Sequence, residues 1–293
     1  MDRLFRVVVA LLAAAALASC SSATMTRLAY SNAALAYSNL GSALAWTVDD
    51  YVDMNDAQEA WVKERAARLM EWHRKEELPR ARRILEGMLA KSDGAFSAEE
   101  LAALQVDVRA FYLRFMGHLV PDMAEFLATT DAGQLGRIET KLAKDNREFL
   151  KESVHGTPEE RRKRRMHRFL THLEAWTGPL DDAQRQLIAS AYGEVPDLTE
   201  QMLGERRYRQ NEVLALVRSK ATKPEMEPKL RQLFVGMDEW RRPEYAQAVR
   251  ERDARLQEAV AKVSGTLTPK QRAALQARIR GLIADIDKVT AAS

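Results

Sequence analysis

The sequence predicts an all-α fold, a bundle of long antiparallel helices, on three observations. Glycine and proline together supply only 22 of 293 residues, about 7.5% against roughly 12% in average proteins, so few positions can punctuate short strands. Apolar residues recur at helical spacing along most of the chain after residue 26. Six segments also carry the chemistry that starts a helix: an Asn, Ser, Asp or Thr that accepts from an orphan backbone N–H, with Gln or Glu three residues later reaching back to the cap's own N–H. The composition is globular, with 46% apolar and 30% charged residues. A net charge of +3 supplies no general attraction for nucleic acid or acidic polymers.

Taken in order, helices are expected over residues 27–52, 56–90, 98–127, 132–153, 158–176, 182–218, 225–263 and 269–290. The starts are marked by Asn55 with Gln58, Ser97 with Glu100, Asp131 with Gln134, Thr157 with Glu160, Asp181 with Gln184 and Thr268 with Gln271. Pro158 and Pro269 stand at the first helical position, where a proline loses no donor. Leu101, Leu104, Val108, Phe111, Tyr112, Phe115 and Leu119 share one helix face, and Leu275, Ile279, Leu282, Ile283 and Ile286 share another. Such stripes are expected to be buried against each other in a bundle. Pro79, Pro121, Pro196 and Pro243 are each expected to kink or break a helix, because proline removes one backbone bond and clashes with the preceding turn. Residues 219–228, with Pro224 and Pro228, read as a loop separating a bundle (27–218) from a C-terminal helical hairpin (225–293) packed on it.

The first nineteen residues read as an address. Arg3 and Arg6 precede the uncharged run Val7 to Ala18, which is too short to cross a hydrocarbon core of about 30 Å as a helix but fits the apolar region of a signal peptide. The run ends in Leu17-Ala18-Ser19-Cys20, which resembles the lipobox of bacterial lipoproteins. The resemblance implies cleavage after residue 19, a lipidated Cys20 carrying the membrane anchor, and a short tether over residues 20–26. Cys20 is the only cysteine, so no intrachain disulfide is available and stability must come from packing. Ser21 and Ser22 follow, rather than the Asp that tends to retain such proteins at the inner membrane. The address implied is therefore the outer membrane, facing the periplasm. Export argues against ATP-dependent chemistry and nucleic-acid binding, and there is no G-x-x-x-x-G-K phosphate loop.

Between Arg27 and Asp49 lie 21 residues without charge, in which Ala29-Tyr30-Ser31-Asn32 recurs as Ala36-Tyr37-Ser38-Asn39. The length would span a bilayer, but interspersed Ser, Asn and Thr dilute the hydrophobicity. A helix packed on its own bundle through its small residues is the expected state; a self-association seam and a helix lying at the membrane surface are the alternatives. Arg27-Leu28-Ala29-Tyr30-Ser31-Asn32, Asp49-Asp50-Tyr51-Val52-Asp53 and Trp72-His73-Arg74-Lys75-Glu76-Glu77-Leu78-Pro79 together resemble a proteobacterial family of predicted lipoproteins with a domain of unknown function. That resemblance brings no activity and no site residues. Leu267-Thr268-Pro269-Lys270-Gln271 is similar to the L-T-x-x-Q motif of small periplasmic helical stress proteins, among them a chaperone that works without ATP, though the unit is a capping box first.

Two constellations are candidate sites. His73, Glu76 and Glu77 stand at i, i+3 and i+4 on one helix, where imidazole and carboxylates converge; a metal would need ligands from elsewhere, with Asp49, Asp50 and Asp53 the nearest in sequence. The competing expectation is that Glu76 and Glu77 pair with Arg74, Lys75, Arg80 or Arg83 while Trp72 fills the core. Arg161, Arg162, Lys163, Arg164 and Arg165 form a basic run at a helix start, against the macrodipole. Five consecutive residues turn through about 500°, so they cannot share one solvent face, and Arg162 falls on the extension of the apolar stripe, where it must snorkel or meet an acid. The run reads either as a surface for anionic lipid headgroups, cell-wall carboxylates or acidic clients, or as a solvated face with acidic neighbours. The five histidines come without a G-x-S-x-G elbow or an H-E-x-x-H pair. The expected function is binding without a cofactor, as an envelope scaffold or chaperone-like module and not an enzyme; an envelope hydrolase or metal-dependent enzyme is the alternative from a different class.

Overall fold

The structure is a computed structural model that describes Tyr37 and residues 39–291. The expected signal peptide, Cys20, the expected tether and the first part of the helix expected from residue 27 lie outside the described residues. Among those described, helices follow one another without a strand: α1 (Leu40–Val52), α2 (Asp56–Trp72), α3 (Leu78–Lys91), α4 (Ala98–Ala128), α5 (Ala132–Phe149), α6 (Pro158–Thr177), α7 (Asp182–Glu194), α8 (Thr199–Arg218), α9 (Lys223–Phe234), α10 (Met237–Trp240), α11 (Pro243–Gly265) and α12 (Pro269–Ala291).

The six expected caps hold. Asn55, Ser97, Asp131, Thr157 and Asp181 each form a reciprocal capping box, and Thr268 exchanges the same pair of bonds with Gln271. Four of the box glutamines also meet in pairs. Gln184 and Gln271 exchange amide bonds of 3.0 and 2.8 Å, tying the start of α7 to the start of α12. Gln58 and Gln134 do the same at 3.1 and 2.6 Å, tying α2 to α5. In the first pair each Oε1 accepts from its own cap and from the partner amide. The second N–H of Gln184 goes to the Thr266 carbonyl and that of Gln271 to the Pro179 carbonyl, so both buried amides use their full bonding capacity.

The prolines act differently from one another. Pro196 lies in the break between α7 and α8, and Pro243 opens α11 after the interruption at α10, so the single helices expected over 182–218 and 225–263 are each divided. Pro121 sits inside α4, which continues to Ala128. Ahead of Pro79 the helix widens into a π-turn over His73–Glu77, where the Leu78 N–H donates to the His73 carbonyl. The wider turn relieves the clash between the proline ring and the carbonyl four residues back. Between 219 and 228 the chain is helical from Lys223, with the Thr222 N–H donating to the Glu225 carboxylate. Pro224 then falls in the first turn, where no donor is missed.

Three apolar centres organise the helices. In the first, Phe115, Met116 and Val120 of α4 meet Leu230, Leu233 and Phe234 of α9, with Leu69 of α2, Val217 of α8 and Ile286 of α12. The second joins Leu170 of α6, Ile188 and Tyr192 of α7, Val263 of α11 and Leu275 and Ile279 of α12. The third joins Ala45, Tyr51 and Val52 of α1, Val62 of α2, Ile138 and Leu142 of α5 and Leu214 of α8. Burial of these side chains, each worth about 1.5–3 kcal/mol, is what holds a chain with no intrachain disulfide. Among the described residues no helix is long and apolar enough to cross a membrane.

Candidate functional site

Two helical hairpins, α3–α4 and α11–α12, close at the same end of the molecule. There the Phe96 N–H donates to Ser264 Oγ at 2.9 Å, and the Arg272 guanidinium donates to the carbonyls of Gly94 and Ser264. α3 packs on α12 and α4 on α11. Between these two pairs remains a cleft of about 410 Å³, walled by Leu78, Ala81, Leu85 and Met88 of α3, Leu101, Leu104, Val108 and Phe111 of α4, and Leu275, Leu282, Ile286 and Val289 of α12, with Leu173 and Trp176 of α6 along one side. The α4 stripe read from the sequence as one buried face is thus divided. Tyr112, Phe115 and Leu119 enter or abut the first core, whereas Leu101 to Phe111 face the cleft, and Val108 remains 46% exposed. The polar side chains on the wall are His73, Thr177, Ser264 and Asp285.

The π-turn builds the far end of the cleft. It turns His73 and Glu77 inward, to 4% and 1% exposure, while Glu76 stays outward beside Arg80. The Glu77 carboxylate accepts a fork of two bonds, 2.8 and 2.9 Å, from Arg114 of α4, the geometry in which an ion pair is strongest. This bridge crosses from the α2–α3 turn to α4 and fixes their spacing. Tyr37 Oη donates to the Met70 carbonyl at 2.8 Å and lies 3.0 Å from His73 Nδ1, a pattern satisfied when Nδ1 carries the ring proton. Burial lowers the His73 pKa to about 4, against the opposing influence of Glu77, so the imidazole is neutral at pH 7. Burial likewise raises the Tyr37 phenol well above its usual range.

The expected constellation of His73, Glu76 and Glu77 is therefore split by the π-turn. Two members are committed to Tyr37 and Arg114, and the third faces away. Asp49, Asp50 and Asp53 are elsewhere: Asp49 accepts from the Met54 N–H, and Asp50 and Asp53 pair with Lys141 and Arg137 of α5. Among the described residues no three His, Cys, Asp or Glu side chains are placed to hold a metal ion.

The basic run is drawn into contacts within the fold. Arg161 and Arg165 converge on Asp197 ahead of α8, each at 2.7 Å. Burial of Asp197 acts to raise its pKa, but bonds from Thr199 and Arg161 and the charge of Arg165 outweigh it and hold the carboxyl below its usual range. Arg162 meets Glu159 with two bonds of 2.8 and 2.7 Å, the acid that its place on the apolar stripe called for. Arg164 donates to the His155 carbonyl. Lys163 is exposed. Sequence reasoning missed the Arg114 bridge and the cleft.

No curated protein and no solved structure matches the chain. The span of residues 50–246 does match a family, from the end of α1 to the first turn of α11, and it contains the π-turn, Arg114 and the α3 and α4 walls of the cleft while leaving out α12. On that match, which covers about two thirds of its length, the chain belongs to the family of unknown function DUF6279.

Proposed function

We propose that the protein is an outer-membrane lipoprotein, anchored through a lipidated Cys20 and facing the periplasm, whose helical domain acts by binding and not by catalysis. The address rests on the order of basic residues, apolar run and Leu17-Ala18-Ser19-Cys20 at the start of the chain. The binding role rests on one observation, the apolar cleft between the α3/α12 and α4/α11 pairs. A reaction site gathers titratable groups around a reacting atom, whereas this wall presents carbon, with His73 already bonded to Tyr37. The pattern suits a module that shelters apolar matter in the periplasm.

The anchor is tested by Cys20→Ala in the full chain. The variant should leave the outer-membrane fraction for the soluble periplasm or keep an uncleaved signal peptide. Retention in the outer membrane after a high-salt wash, with the signal cleaved, would overturn the reading.

A further inference from the structure

We infer that the cleft is a binding site for one long acyl chain of a free lipid, fatty acid or lysophospholipid, taken up from the membrane and held without a covalent bond. The inference rests on the proposed role as a membrane-anchored binding module and names its ligand class. Its first support is length. Leu78 to Met88 on α3 and Leu101 to Phe111 on α4 each span about 15 Å at 1.5 Å per residue, and Leu275 to Val289 on α12 spans about 21 Å. A methylene adds about 1.3 Å to an extended chain, so these lengths correspond to about 12–16 carbons.

Chemistry decides against an extended polypeptide, because its N–H and C=O groups would lie against carbon on nearly every side, and unpaired buried amides are costly. A polymethylene chain asks for no hydrogen bonds.

The third support is where the chain arrives. The described residues begin at Tyr37, whose ring stacks on His73 with centroids 6.0 Å apart, and His73 lines the cleft. The N-terminal side of the chain, which carries the proposed anchor, therefore joins the domain at the π-turn end of the slot, and the 17 residues from Cys20 to residue 36 reach at most about 60 Å, which keeps the cleft near the proposed anchor's membrane. Each methylene bound should tighten the complex about fourfold, so the site selects for length.

The test uses the full chain in its native membrane. Cells are given palmitate carrying a photoreactive diazirine near its ω-end, irradiated, and the crosslinked residues mapped by mass spectrometry. Label is expected on cleft residues such as Met88, Leu104 and Val108, suppressed by excess palmitate but not by octanoate. Ala81→Phe and Val108→Phe fill the slot from opposite walls and should each cut labelling at least tenfold; protease resistance and helical circular dichroism verify that the variants fold. Cys20→Ala should be labelled as well as wild type. Labelling of Cys20→Ala alone would assign the slot to the chain's own anchor and overturn the inference. Label spread equally over exposed apolar residues elsewhere, such as Trp46 and Met202, or no label in the cleft, would overturn it too. Loss of cleft labelling with outer-membrane fractionation intact would leave the anchored binding module standing without this ligand.

Discussion

Gln184 is 1% exposed, and its replacement by alanine should be among the most damaging single changes in the C-terminal half. The side chain donates to the Thr266 carbonyl and to Gln271 Oε1, and it accepts from the Asp181 N–H and from Gln271 Nε2. Truncation leaves both ends of the buried Gln271 amide without these partners, while the Thr266 carbonyl belongs to an exposed residue that water can reach. At about 1–3 kcal/mol for each buried group left unpaired, and with a small cavity added, the expected loss is about 3–5 kcal/mol. Gln271→Ala should cost a similar amount for the same reason. The double variant should cost clearly less than the two singles summed, because the second truncation removes a group that the first has already orphaned; a coupling of about 1–3 kcal/mol is expected. The matching cycle on Gln58 and Gln134 supplies an internal control. Gln58 is half-buried, water can replace its partner, and each loss should be about half as large or less. Urea titrations of the four variants, with slopes compared to check two-state behaviour, give the numbers. A Gln184→Ala loss below about 1 kcal/mol, or additive single losses, would refute the view that the paired amides form one buried network.

Four further expectations follow from other contacts. Because burial lowers the His73 pKa to about 4 against about 6.5 unfolded, the unfolded chain binds the extra proton between those values. Its stabilising effect is complete above pH 6.5 and lost as pH falls through 4, up to about 3 kcal/mol; urea midpoints at pH 7.5 and 4.5 should differ by less in His73→Phe than in wild type. Arg114→Met strands the buried Glu77 carboxylate and should cost about 3–5 kcal/mol, whereas Glu77→Leu with Arg114→Met should recover part of it, read as the midpoint of thermal unfolding. Asp197→Asn should destabilise the junction of α6 and α8 and speed proteolysis there, since it leaves Arg161 and Arg165 facing each other with a neutral partner. Asp181→Ala should cost about 1 kcal/mol through its cap, and an unchanged denaturation midpoint would show that α7 does not depend on it.

Six helix starts were readable because their chemistry is local: a cap and its Gln or Glu lie three residues apart, and no distant contact is needed to form the box. Which helix lies against which was not readable. The same Gln184 and Gln271 that announced two helix starts also choose each other across 87 residues, a choice that spacing does not encode. The cleft was hidden for a related reason. Leu101 to Phe111 and Tyr112 to Leu119 have one periodicity, and periodicity reports that a face avoids water, not whether protein or a cavity lies opposite. The basic run likewise gave its charge but not its partner, because Asp197 comes 36 residues after Arg161 and only the turn between α7 and α8 brings it near. At His73 to Pro79 the proline pointed to a disturbed helix, but the π-turn that sends Glu77 inward and leaves Glu76 outside depends on Arg114 waiting on α4.

The C-terminal helix has a consequence for how the molecule must be made. α12 contributes Leu275 and Ile279 to one apolar centre and Ile286 and Val289 to another, so a single rod passes through both. A chain made from its N-terminus delivers that rod after everything it joins. Until it arrives, α3 has no α12 to lie on, the Gln184 amide lacks its bonds to Gln271, and two sets of apolar side chains stand open to water. Completion is thus a late, all-or-nothing event that docks the final 23 residues of the helical domain across two waiting halves. Any release of the chain before residue 269 yields a species that is sticky at both ends, suited to aggregation or to proteolysis rather than to partial function.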